Sequence, residues 1–266
     1  MGFRAVKACT LASFLLLAGC SAFFGVNLLK GLDKVPAPNP AQYDYFQNGT
    51  AGLMKLDADL SSPAVVSALK ADPGATSTIE SDLQATYTNP AVPLADQQLA
   101  AALYSDVNLK TTSGDTFVNN VVNVVVSGTG SGQTIQQLLQ GIVPLDVASD
   151  PVAFAAMVNG LLNAASAYQT LGATLVPAPA PVPPGVNMGD AAQKAAVAYM
   201  MQSMVYEVGG GTANATQQMY LLLNNQPNSV PTSTIDPFST PIAPYNATNL
   251  QNIKNIFSSA GATMPS

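Results

Sequence analysis

Apolar residues recur along most of this chain every three or four positions, the spacing that gathers them on one face of an α-helix. Thr134 to Val143 carries Ile135, Leu138, Leu139 and Ile142 at that spacing. Val152 to Leu171 carries Phe154, Val158, Leu161, Leu162 and Ala165. Asp190 to Val208 carries Val197, Met200, Met201, Met204, Val205 and Val208, and a further helix is expected over Thr212 to Asn224. Ala247 to Ser259 closes the chain with Leu250, Ile253, Ile256 and Phe257. Period-two alternation is scarce, and Asn48-Gly49 lies in a polar stretch rather than between strand-like runs. The run Phe117, Val121, Val122, Val124, Val125, Val126 is rich in strand formers, but its flanks favour a helix begun after Ser113.

Helix starts are written in side chains that accept a bond from an orphan amide, followed by a proline that has no amide to orphan. Ser62-Pro63, Asn89-Pro90 and Asp150-Pro151 follow this rule, and Ser77 with Glu80 has capping-box spacing. The fold class expected is all-α, with antiparallel helical hairpins stacked on one another as an irregular α-solenoid. Val124, Gly128, Gly130, Gln136 and Gln137 reappear 81 positions later as Val205, Gly209, Gly211, Gln217 and Gln218. Two hairpins fit that offset, which suits a tetratricopeptide-like array, although the signature residues of that family do not occur.

Prolines divide the chain. Pro36, Pro38 and Pro40 end a stretch in which Phe24, Leu28 and Leu32 recur every four residues beside Lys30 and Lys34. Val176 to Val186 holds five prolines in eleven residues, enough for roughly 30 Å of polyproline II at about 3.1 Å per residue. The expected divisions are 1–19, a leader; 20–40, a tether and spacer; 41–175, a helical domain; 176–187, a linker or crossover; and 188–266, helices packing on the same body.

The first twenty residues have a chemistry of their own. Arg4 and Lys7 lie in a start without acids, Ala8 to Leu17 is apolar and too short to span a bilayer, and Leu17-Ala18-Gly19-Cys20 follows. That tetrad resembles the lipobox of bacterial lipoproteins. The resemblance implies diacylglyceryl transfer to the Cys20 thiol, cleavage between Gly19 and Cys20, and acylation of the new amine. Several acyl chains together give stable anchoring. Ser21, in place of an aspartate, points to the outer membrane and a body facing the periplasm.

Composition narrows the chemistry further. Charged residues are 9% of the chain against about 25% in typical globular proteins. After cleavage seven lysines face fifteen acids, a net charge of −8, and the single arginine, Arg4, has left with the leader. Nucleic-acid binding, which needs a basic footprint, is excluded. There is no histidine or tryptophan, Cys9 is removed, and Cys20 is the lipid site. Zinc, haem and thiolate sites and histidine-dependent triads are therefore excluded, and no cofactor is expected.

The remaining candidates have plain structural readings. Asp57 with Asp59, and Asp33 with Asp44, fall short of a calcium loop and read as solvated or capping acids. Gly209-Gly210-Gly211 before Thr212 lacks the lysine of a phosphate loop and reads as a turn. Tyr43, Tyr45 and Phe46 read as packing, and the methionines near 200 as core. The leading functional expectation is a non-enzymatic adaptor or scaffold that binds a protein of the envelope. The alternatives are a carrier for a lipid or small molecule that works with a transporter, and, last, a hydrolase using carboxylates or a serine–lysine pair. A Cys20→Ser chain is expected to remain at precursor mass and to incorporate no radiolabelled palmitate; processing at the normal site would contradict the lipobox assignment.

Overall fold

The computed structural model describes residues 36–127, 135–177, 182–209, 212–228 and 247–263. Contacts divide the chain into Met1–Pro36 and Ala37–Ser266, and the architecture below is that of the second unit. Gly19, Cys20, Asp33, the glycines of 128–132, Gly210, Gly211 and most of the 225–245 loop lie outside the described residues.

The described residues form an all-α structure. A 3-10 turn at Pro40–Gln42 leads to α1 (Tyr45–Asn48), α2 (Thr50–Leu60), α3 (Pro63–Ala71), α4 (Pro73–Tyr87), α5 (Leu94–Thr111) and α6 (Gly114–Ser127). Then come α7 (Ile135–Ile142), α8 (Leu145–Ala148), α9 (Pro151–Thr174), α10 (Met188–Gly209), α11 (Thr212–Leu223) and α12 (Ala247–Ser259). The valine-rich run is helical as expected. None of these helices is long and apolar enough to cross a membrane.

The helices are organised around the antiparallel pair α5 and α9, which share the most extensive contact in the molecule. One stripe of α9 (Pro151, Val152, Ala156, Asn159, Asn163, Ser166, Ala173) is exposed, while Met157, Ala164, Ala167, Tyr168 and Leu171 extend its buried face well beyond the residues read from the sequence. A helix apolar over most of its circumference must be enclosed. Around it stand α5, α10, α11 and α12, with α4 and α2 covering the other side of α5. One apolar cluster runs from Tyr43 to Phe257 through all of them. Hairpin neighbours such as α4–α5 and α10–α11 do pack together, but α5 and α9 are some forty residues apart in the chain. Contacts that skip neighbours in this way are foreign to a solenoid, in which each repeat touches only the next.

Three sequence expectations about helix starts are corrected. Ser62 stands before Pro63 at the start of α3, but its side chain makes no capping bond. Asn89-Pro90 begins a turn, with Asn89 Oδ1 accepting from the Ala91 amide at 2.9 Å, and α5 starts only at Leu94. Ser77 and Glu80 lie inside α4, which starts at Pro73 under an Asp72 cap, where Oδ1 accepts from the Ala75 amide at 3.0 Å. Asp72-Pro73 is the same signal as Asp150-Pro151, and the latter caps α9 through bonds of 2.8 and 3.2 Å to the amides of Val152 and Ala153.

Close approach along the central pair depends on Gly160. A Cβ there would meet the Asn108 carbonyl oxygen of α5 at 2.8 Å and would press still harder on Thr112. Overpacking of this kind costs about 1–3 kcal/mol, and backbone cannot swing aside as a side chain can. Gly160→Ala is therefore expected to lower the melting temperature by roughly 5 °C or more, at about 2–4 °C per kcal/mol for a chain of this size. An unchanged melting temperature would show that the seam has slack.

Candidate functional site

The least expected group in the body is the ammonium of Lys194, on α10. Its side chain is 7% exposed, and it donates to Asp106 Oδ1 of α5 at 2.8 Å and lies 2.7 Å from Asp190 Oδ2, one turn earlier on α10. Asp115 of α6 stands at 3.8 Å. Burial works against the ammonium, but Asp106 and Asp190 outweigh burial and hold Lys194 well above the usual lysine range. Burial pushes the Asp106 carboxyl up, against the pull of Lys194.

Beside this cluster lies a recess of about 210 Å³. Its walls include Asp57, Asp106, Asp190, Asn187 and the ring of Tyr168. Asn187 Oδ1 accepts from the Asp190 amide at 3.2 Å at the start of α10. Gly185, at φ +79°, lets the preceding segment turn against Leu99, which a Cβ would meet at 3.3 Å. Tyr168 is buried beside Ser105, and burial together with Asp106, Asp190 and Asp115 raises its phenol far above the usual range. One ammonium draws together carboxylates from three helices, so the evident work of the cluster is to clamp α5, α6 and α10. No group of three or more potential metal ligands is assembled among the described residues.

A second cleft, of about 470 Å³, lies between α3, α6 and α8. Lys70 Nζ donates to Ser113 Oγ at 2.8 Å, and Ser113 Oγ donates weakly to Asp146 at 3.4 Å. Ser113 holds φ +65°, a region that non-glycine residues seldom occupy. This is the convergence a serine–lysine hydrolase would require. Such chemistry uses a desolvated amine, whereas the Lys70 side chain is 50% exposed and sits 3.9 Å from the Asp146 carboxylate.

A third cleft, of about 480 Å³ and mainly apolar, separates α9 from α11. Phe154 and Tyr220 form its floor with ring centroids 5.6 Å apart. Ala155, Asn159, Thr216 and Gln217 form uncharged walls. Val152 and Leu145 are strongly exposed on the helix starts nearby, at 77% and 89%.

The sequence candidates fall as follows. Asp44 caps α1 by accepting from the Phe46 amide at 2.9 Å, and Asp59 accepts from Tyr43 Oη at 2.7 Å and Lys55 Nζ at 3.0 Å. Asp57 lines the recess rather than joining Asp59 in a site. Tyr43 is buried, whereas Phe46 is exposed. Met201 and Met204 lie in the core and Met200 packs against it. Lys194 was passed over in the sequence, although a single lysine four residues after an aspartate in an otherwise apolar helix is a visible signal of a buried ion pair. Comparison with family models, with curated proteins and with solved structures finds no match for this chain.

Removing one partner of a buried ion pair costs about 3 kcal/mol or more, because the other is left unpaired. Lys194→Met is expected to lose about that much in chemical denaturation at pH 7, and Asp106→Leu in the same chain should recover part of it. A raised lysine contributes fully below its unfolded value of 10.5 and loses that contribution as pH climbs through the folded value, so the deficit should narrow in alkali. A Lys194→Met chain as stable as the parent would mean that the clamp carries no load.

Proposed function

We propose that the protein is a lipid-anchored, non-catalytic adaptor of the bacterial envelope, held to the outer membrane through Cys20 and presenting its helical body to a partner protein in the periplasm. The α9–α11 cleft is the observation that carries this reading. It is apolar and bounded by uncharged Asn159, Thr216 and Gln217, and Val152, next to Pro151 on its rim, is strongly exposed. An apolar side chain or short helical segment of a partner fits such a surface without desolvating any charge. The charge-poor composition supports the same mode of recognition. The carrier alternative draws on the same cleft, whose volume falls in the range of small-molecule sites, about 300–1,000 Å³.

A photoreactive residue at exposed Gln217, in cells making the lipidated chain, should give discrete protein adducts that the same residue at exposed Ser81 on α4 does not give. Identical patterns from the two positions would overturn the adaptor reading. An adduct that adds only small-molecule mass would replace it with the carrier.

A further inference from the structure

Seven large apolar side chains are more than half exposed among the described residues; Met54 lies on α2, and the other six belong to two ends of the body. Leu145 and Val152 belong to the end where α9 starts. Phe46, Leu94, Val176 and Val182, at 53–61% exposure, belong to the other end, where α5 begins and α9 finishes. Gln98 Nε2 donates to Thr174 Oγ1 at 3.0 Å, which brings the segment after α9 beside the first turns of α5. Gly185 lies against Leu99, which brings the 182–187 segment to the same place. Tyr45 Oη and Thr50 Oγ1 donate to Asp96 at 3.0 and 2.9 Å, and Phe46 stacks edge-on against Tyr45 with centroids 5.7 Å apart.

We propose that this end of the body seats in the interfacial layer of the bilayer, with Phe46, Leu94, Val176 and Val182 entering among the lipid headgroups. The inference rests on the reading of Cys20 as lipidated. The chain enters the body at this end, where Asn48 Nδ2 donates to the Ala41 carbonyl at 2.7 Å. From Cys20 to Pro36 are seventeen residues, able to extend about 60 Å, whereas α9 spans roughly 36 Å. The tether alone therefore allows any orientation, and the surface decides. Leu94, Val176 and Val182 each adjoin a proline (Pro93, Pro177, Pro183), which removes one N–H donor from the backbone beside each of them. Of the acids at this end, Asp44 caps α1 and Asp96 holds Tyr45 and Thr50, while burial and the neighbouring Asp44 push the Asp82 carboxyl up. The opposite end, with its apolar cleft, then faces away from the membrane and toward a partner.

The mature chain has no cysteine apart from Cys20, so a single introduced thiol can be labelled cleanly. Leu94→Cys, Val182→Cys and Leu145→Cys, each purified as the lipidated chain, would carry a spin label in vesicles of phosphatidylethanolamine and phosphatidylglycerol. Labels at 94 and 182 should be several-fold more accessible to oxygen than to a water-soluble nickel complex, relative to the label at 145. All three labels equally exposed to the nickel complex, on protein that floats with the vesicles and shows acyl mass, would overturn the seat and leave the anchor standing. An unacylated chain that does not float would overturn both.

Discussion

The seam between α5 and α9 is the contact on which the rest of the body is built. Both helices are buried over most of their circumference, so neither can exist without a complete jacket. The seam is not wholly apolar. Asn163 Nδ2 donates to Asn108 Oδ1 at 2.9 Å, Ser105 Oγ lies within hydrogen-bond reach of the carbonyls of Ala101 and Ala164, and Gln98 reaches Thr174. Buried polar groups cost stability unless paired, and these pairings also select one register of one helix against the other. Gly160 in this seam, and Gly172 where α9 meets α12, let backbones approach closely. At Gly172 the contact is fastened by Asn255 Nδ2, which donates to the Gly172 carbonyl at 3.0 Å.

From this seam the two ends acquire different characters. Where α9 starts, α11 stands off far enough to leave an apolar cleft. Where α9 ends, Val176 is exposed, and Gly185, lying against Leu99 of α5, follows an exposed Val182. Between them, Lys194 ties α10 to α5 and α6 through paired charges in a chain that has few charges to spend.

The helical class was legible because periodicity and caps agree over most elements, as at Asp150-Pro151 and in Ile135 to Ile142. Asn89-Pro90 misled because an asparagine side chain closes a turn by the same bond that it uses to cap a helix. The central role of α5 was hidden by its composition. Asp96, Gln98, Ser105, Asn108 and Thr111 look like a solvent face, yet all five are buried and have partners in the helix, across the seam or, for Asp96, on α1 and α2. At Lys194 the spacing from Asp190 shows one partner, but the other two, Asp106 and Asp115, come from α5 and α6. Periodicity reports which face is apolar, not which polar residues will find partners once helices distant in sequence meet.

Native-state hydrogen exchange tests the central claim, that one seam organises one cooperative body, most directly. The account predicts that amides in the middle of α5, α9 and α10 share the slowest rates and exchange only through global unfolding. Opening of α10 to α12 at a markedly lower free energy than α5 and α9 would contradict it, because the C-terminal helices would then form a separate unit leaning on the first.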